Sequence, residues 1–101
     1  MNRTDILKAA EKCICGDRDK QYGSPENNFR QVSDLWSVYL GKSITPADVA
    51  IMMTLFKIAR IRSSIYQDID SWMDGIGYLA CGEEIAIGGT DKQDDMAGGR
   101  E

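Results

Sequence analysis

The segment TPADVAIMMTLFKIARI, residues 45–61, decides the fold of this chain. It opens with Thr45, Pro46 and Asp48, and a capping threonine, a first-turn proline and an acid three residues after the cap are typical of a helix start. After this start, apolar residues occupy nearly every side of the expected helix. A helix of that kind is normally covered by other helices. The segment therefore predicts the central helix of an all-α protein.

Three more helices are predicted around this segment, which makes a compact bundle of about four. Apolar residues recur at intervals of three and four, and Gly16 and Gly41 follow two of these stretches as natural C-terminal caps. Trp36 and Trp72 lie on the apolar stripes, so we expect both in the core, with an aromatic cage as the alternative. The predicted flanking helices span residues 5–15, 25–40 and 65–87.

The composition is that of one small globular domain, with 101 residues of which 43% are hydrophobic. We expect this domain over residues 1–87 and a disordered, acidic, glycine-rich tail over residues 88–101. The net charge of −4 opposes a nucleic-acid backbone, so no direct DNA binding is expected. No apolar run approaches the roughly 20 residues that cross a membrane. We therefore expect no membrane association and a cytoplasmic protein.

The cysteines Cys13, Cys15 and Cys81 are expected to stay reduced, because no secretion signal is recognised. A zinc site would need more ligands than a Cys-x-Cys pair and one further thiolate in a chain that has no histidine. Small apolar side chains on helix faces are the favoured interpretation. The lack of histidine also excludes a Ser-His-Asp catalytic arrangement.

Two carboxylates, Asp70 and Asp74, lie one helical turn apart, where they can share a hard cation such as Mg²⁺. Lys57 and Arg60 lie on the central helix, so they are the cations expected nearest to the hydrophobic core. The alternative interpretation is a solvated acidic face, or carboxylates that pair with Arg60. The residues alone leave both interpretations open.

A second polar cluster, RDKQYG at residues 18–23, precedes the predicted second helix. Arg18 offers a bidentate phosphate-binding group, Lys20 a point charge and Tyr22 an aromatic plane that can stack on a base. The dipole of the following helix start favours anions. The alternative is a polar turn in which Tyr22 packs on Trp36.

A longer pattern combines these clusters. Arg18-x-x-x-Tyr22-Gly23-x-Pro25-x-x-Asn28-Phe29 is followed by Leu35-Trp36, by Lys57-Ile58-Ala59-Arg60, and by Asp70-x-x-x-Asp74-x-x-Gly77-Tyr78. The pattern, within residues 13–85, resembles a group of small phage and prophage proteins of unassigned function. It is more distantly similar to nucleotide-modification-associated phage domains and to the all-α nucleoside triphosphate pyrophosphohydrolases of the MazG and dimeric dUTPase type.

The pyrophosphohydrolase resemblance implies a helical bundle, often dimeric or tetrameric, that holds Mg²⁺ with a Glu-x-x-Glu pair on one helix and an acidic pair on the next. Asp70 and Asp74 look like the later pair, whereas this sequence lacks the earlier one. Tyr22 or Trp36 would stack on a base. The residues expected to bind the ligand are Arg18, Lys20, Tyr22, Asn28, Lys57 and Arg60.

Two functions of different classes are consistent with these features. The first is a phage nucleotide-metabolism protein that binds or hydrolyses a nucleoside phosphate with Mg²⁺, as a pyrophosphohydrolase-like enzyme with an incomplete acidic motif. The second is a non-catalytic phage accessory or counter-defence protein that binds a host protein or sequesters a nucleotide. With either function, a thin core and a strongly apolar central helix predict a homodimer.

Overall fold

The chain folds into α-helices. A computed structural model describes the backbone of residues 1–13 and 25–92 and the side chains of residues 1–13 and 27–88, and it has no β-strand in these ranges. The all-α prediction is therefore confirmed. The helices are α1 (Arg3–Lys12), α2 (Pro25–Leu40), α3 (Pro46–Ser63) and α4 (Ile69–Lys92).

The central helix α3 begins where its sequence predicts. The Thr45 hydroxyl accepts a hydrogen bond of 3.0 Å from the Asp48 backbone N–H, and the Asp48 carboxylate accepts one of 2.9 Å from the Thr45 N–H. These reciprocal bonds satisfy two N–H groups that have no partner inside the helix. The same device starts α1 earlier than expected, because Asn2 and Asp5 form the capping box there. The predicted end of this helix, residues 14 and 15, lies outside the described residues.

The end of α2 agrees with the prediction, whereas the chain after α3 does not. Gly41 follows α2 with a φ of 68°, as expected of a glycine cap. After α3, Ile65 and Tyr66 have φ angles of 56° and 66°. The fourth helix was predicted to begin at residue 65. The left-handed turn prevents helical structure there, so α4 begins at Ile69 instead.

The fourth helix is also longer than expected at its C-terminal end. It runs to Lys92, whereas the tail was predicted from Gly88. Glycine lowers helix propensity, but the backbone hydrogen bonds continue through this segment. The helix thus extends five residues past the predicted start of the tail, and residues 93–101 lie outside the described part of the chain.

The core lies where α2, α3 and α4 meet. Phe29, Val49, Ala50 and Cys81 form its buried cluster. At Gly82 the helices α3 and α4 approach so closely that an added Cβ would lie 2.7 Å from the Ala50 Cβ. Close approach of a neighbouring helix is one of the reasons for glycine inside a helix. The partly buried residues that pack against the cluster are Val32, Trp36, Ile44, Met53, Tyr78 and Ile85.

Two expectations about burial are wrong. Trp72 was expected in the core, yet it is 46% exposed. Helix α3 was expected to be covered on all sides, yet Ile51, Leu55 and Ile58 are about half exposed. The reason is that α2 and α4 both pack against the opposite side of α3, where Val49 and Ala50 lie. None of the described helices is both long enough and apolar enough to span a membrane.

Candidate functional site

Two cationic side chains of the central helix α3 lie near acidic side chains, one on α4 and one in the turn before α4. The Lys57 Nζ lies 2.9 Å from the Asp74 carboxylate, and both side chains are partly buried. The Arg60 Nε lies 3.9 Å from the Asp68 carboxylate at a more exposed position. Asp74 therefore pairs with Lys57 and not with Arg60, and the acid near Arg60 is Asp68, which was not among the predicted partners.

Asp68 caps the N-terminus of helix α4 and organises the turn in front of it. Its carboxylate accepts hydrogen bonds from the backbone N–H of Ser71 at 3.2 Å and from the Ser71 hydroxyl at 2.7 Å. Its own N–H donates to the Ser64 hydroxyl, which in turn donates to the carbonyl of Ile61 at the end of α3. This chain of bonds fixes the Asp68 carboxylate relative to the last turn of α3.

The ionised form of Asp68 is favoured by its surroundings. The hydrogen bonds from the side chain and backbone of Ser71 hold its pKa below the ordinary value of 3.8. Partial burial opposes this shift, while the positive charges of Arg60 and Lys57 support it. Asp68 is therefore a stable negative charge at neutral pH, and it presents acceptor oxygens at the protein surface.

A surface groove of about 360 Å³ lies between the end of α3 and this turn. The Arg60 guanidinium lies 5.9 Å from the centroid of the Phe56 ring, and the Lys57 Nζ lies 5.8 Å from the same centroid. Positive charge therefore lies beside an aromatic plane. These distances allow a cation–π interaction. We call this the Arg60 groove, and it is lined by Phe56, Ala59, Arg60, Ser63, Ser64 and Asp68.

A second groove, of about 440 Å³, lies where the first residues of α4 meet α1. Ile6, Tyr66 and Trp72 make it mainly apolar, and Gln67 and Ile69 complete its lining. The Trp72 Nε1 donates a hydrogen bond of 3.2 Å to the carbonyl of Tyr66. Trp72 is thus held at the surface by the left-handed turn, which agrees better with the aromatic alternative than with the core assignment.

The residues predicted to bind a ligand do not all meet. Lys57 and Arg60 lie together on α3, and Asp70 is exposed on α4 one turn before Asp74. Asn28 is partly buried on α2. Arg18, Lys20 and Tyr22 lie outside the described residues. Trp36, the other candidate for base stacking, packs against the core cluster instead. Among the described residues, no three Cys, Asp or Glu side chains cluster closely enough to hold a metal ion.

Four residues of this region were not predicted as site residues: Phe56, Ser64, Asp68 and Ser71. For Asp68 a signal was present, because aspartate directly before an apolar helical pattern is a strong capping residue. Ser71 is only 2% exposed, and its hydroxyl is satisfied by Asp68. Phe56 had no distinguishing signal, because it was one apolar residue among many on α3.

These features define the class: an all-α helical domain with a groove of charged, hydroxyl and aromatic side chains at the junction of its two longest helices. Residues 5–86 match the family described as a domain of unknown function, DUF6378. Because this match covers most of the chain, the protein belongs to that family.

Two relatives come from phages that infect mycobacteria. The Gene 55 protein of Mycobacterium phage D29 is 45% identical over 80 residues, which are 79% of this chain and 52% of that protein. The Gene 55 protein of Mycobacterium phage L5 is 39% identical over 83 residues, which are 81% of this chain and 53% of that protein. The chain thus spans about half the length of these relatives. The predicted kinship with phage proteins of unassigned function is confirmed. No solved structure matches the chain significantly.

Proposed function

We propose that this protein binds a nucleoside phosphate in the Arg60 groove, as a phage protein acting in the cytoplasm of the infected cell. The supporting observation is the combination of Phe56, Arg60 and Asp68 around one groove. A base can stack on the exposed Phe56 ring, while the guanidinium of Arg60 binds phosphate. The ionised Asp68 carboxylate accepts hydrogen bonds from the amino and imino groups of a base or from a sugar hydroxyl.

The size of the groove supports a ligand of mononucleotide size. Its volume of about 360 Å³ lies at the lower end of the range that is common for small-molecule sites. Ser63 and Ser64 add hydroxyl groups on the same side as Arg60. Recognition then uses one charged hydrogen bond, one aromatic surface and one fixed carboxylate.

The described residues do not fit a resident magnesium site. Asp74 is 2.9 Å from Lys57, so a metal at Asp70 and Asp74 would have to displace an ammonium group that already neutralises one of the two carboxylates. Magnesium enters the proposal only as an ion that arrives with the phosphates. The contacts therefore favour binding, or sequestration, over metal-dependent hydrolysis. Kinship with pyrophosphohydrolases stays a prediction.

The test is a calorimetric titration with nucleoside mono-, di- and triphosphates, with and without Mg²⁺. Arg60→Gln is expected to weaken phosphate-bearing ligands about tenfold, because it removes a charge-assisted hydrogen bond. Phe56→Leu should weaken nucleotides but not inorganic pyrophosphate. Arg30→Gln, which removes an exposed arginine on α2, is the matched control.

Binding that is unchanged in both Arg60→Gln and Phe56→Leu would contradict the assignment of the groove. If no nucleotide binds at all, the non-catalytic accessory protein that binds a host protein becomes the better candidate. A specific observation favours this alternative: large apolar side chains such as Leu35, Val38 and Tyr39 are exposed on α2. Exposed apolar patches on soluble domains mark interaction sites.

A further inference from the structure

One side of α3 is apolar, and none of the other helices in the described part of the chain covers it. Leu55 is 59% exposed, Ile51 53% and Ile58 45%. Residues spaced by three, four and seven positions lie on one side of a helix. We call this side the outer face, and it consists of Asp48, Ile51, Met52, Leu55, Ile58, Ala59 and Arg62.

The outer face is symmetric about Leu55 in a chemically specific way. Three and four positions from Leu55 lie Met52 and Ile51 on one side, and Ile58 and Ala59 on the other. Seven positions away, the two ends of the face carry opposite charges. Asp48 stands at the N-terminal end and Arg62 at the C-terminal end.

We propose that a second copy of this chain covers the outer face, with the two α3 helices antiparallel and a two-fold axis at Leu55. Such an axis places Asp48 of each copy opposite Arg62 of the other, so both ends of the contact are charge pairs. It also places the large Ile51 opposite the small Ala59. A two-fold axis makes every such contact occur twice, which is the common geometry of homodimers.

The charges at the two ends of the outer face favour the antiparallel arrangement over the parallel one. In a parallel pair, Asp48 would meet Asp48 and Arg62 would meet Arg62, and juxtaposed like charges disfavour a contact. The Asp48 carboxylate already accepts the Thr45 N–H through one oxygen, and its second oxygen remains available to a guanidinium. The same aspartate can thus cap its own helix and pair with the second copy.

The dimer is independent of the proposed nucleotide site, although the two adjoin. Ala59 belongs both to the outer face and to the lining of the Arg60 groove. In the antiparallel dimer, Ile51 of the second copy faces Ala59 and borders that groove. Arg60 and Asp68 do not belong to the outer face, so the proposed contact leaves the two charged residues of each groove out of the interface.

The first experiment is light scattering over 1–100 μM protein at low and moderate salt. The full chain is expected to be a dimer, and Leu55→Glu a monomer with unchanged helicity. Arg62→Asp should raise the dimer dissociation constant at least tenfold, because it sets two acids against each other at each end. Val38→Glu is the matched control, since Val38 is 83% exposed on α2. It should stay dimeric. A parent that is monomeric at 100 μM, or a dimeric Leu55→Glu, would overturn the proposal.

Disulfide cross-linking tests the direction of the helices. In a background with Cys13 and Cys15 replaced by serine, Leu55→Cys should cross-link to itself. Ile51→Cys should not, because the two copies of residue 51 are eight residues, or about 12 Å, apart along an antiparallel pair. A mixture of Ile51→Cys and Ala59→Cys should cross-link efficiently. Self-cross-linking of Ile51→Cys at the rate of the mixture would indicate parallel helices and would overturn the proposed geometry.

Discussion

Both sides of α3 carry apolar residues, but only the inner side has small residues at the points where α4 crosses it. The inner side has Ala50 and Thr54, which face Gly82 and Gly75 on α4. The outer side has Ile51, Leu55 and Ile58. Small residues let two helix backbones approach closely, and α4 packs against α3 at these small residues. The comparison shows that side-chain size, and not hydrophobicity alone, selects which side of an apolar helix is covered within the chain.

The largest expected effect comes from breaking the close approach itself. Gly82→Leu forces a large side chain against Ala50, where even a Cβ would lie only 2.7 Å away. We expect the free energy of unfolding to fall by about 3 kcal/mol. Gly88→Ala is the matched control on the same helix, because no atom lies within 4 Å of its added Cβ. It should gain up to about 1 kcal/mol from helix propensity. Equal urea midpoints for the two variants would contradict the packing argument.

A second effect concerns the charge on the inner side. Asp74→Asn leaves Lys57 without its carboxylate at a position where the lysine side chain is only 16% exposed. We expect a loss of about 1–2 kcal/mol of unfolding free energy. Asp70→Asn, on the exposed part of α4, should change stability by less than about 0.5 kcal/mol.

Melting curves of both variants with EDTA and with millimolar Mg²⁺ complete this test. A metal bound by Asp70 and Asp74 would instead make Asp74→Asn slightly more stable without Mg²⁺, because it removes a repulsion between neighbouring carboxylates. It would also raise the parent's melting temperature with Mg²⁺. That pattern would argue for a magnesium site and against the structural ion pair.

The end of α3 offers a third and smaller contrast with the end of α2. Both helices end in a left-handed residue, but α2 uses Gly41 whereas α3 uses the branched Ile65. The Tyr66 N–H bonds to the Ile61 carbonyl and the Ile65 N–H to that of Arg62, so the backbone hydrogen bonds hold this turn in place of glycine. Ile65→Gly should therefore raise the free energy of unfolding by about 1 kcal/mol.

Gly41→Ala provides the opposite change at the end of α2. It places a Cβ on a residue with a φ of 68° and should lower stability by about 1 kcal/mol. Thermal unfolding of both variants measures the difference. An Ile65→Gly variant that is less stable than the parent would show that the side chain of Ile65 contributes more than its backbone conformation costs.

The smallest effect is a dependence on pH. Because the pKa of Asp68 in the folded protein lies below its ordinary value of 3.8, the unfolded chain binds this proton more readily. The stabilisation by ionised Asp68 is complete above that value and is lost as the pH falls through the lower folded-state pKa. The urea midpoint of Asp68→Asn should therefore depend less on pH below about 4 than that of the parent. Ser71→Ala should flatten the dependence in the same direction, and a slope equal to the parent's in both would contradict the assignment.

The parts of the fold that were predictable are those with local causes. The start of α3 depends on Thr45 and Asp48, which are three residues apart and form their hydrogen bonds without help from the rest of the chain. The end of α2 depends on Gly41, which adopts a left-handed conformation at low cost. The start of α4 was misplaced because Ile65 and Tyr66 are residues for which sequence rules do not predict that conformation.

The candidate site was predictable only in part. Arg60 and Lys57 stood out as charges on an apolar helix, but their partners depend on how α4 lies against α3. Asp74 comes to Lys57 and Asp68 to Arg60. Asp68 was recognisable as a helix cap, yet nothing local indicates that a cap will also form the wall of a groove with Phe56.

By itself, the sequence determined that the protein is helical, that the segment of residues 45–61 forms its central helix, and that this helix has too much apolar surface for a small core. These properties depend on periodicity and capping, which act over a few residues. Only the tertiary structure decided which side of α3 is covered and that Trp72 stays at the surface. The reason is that these outcomes depend on contacts between residues far apart in the chain, such as Ala50 with Gly82, whose fit becomes apparent only when the helices are packed together.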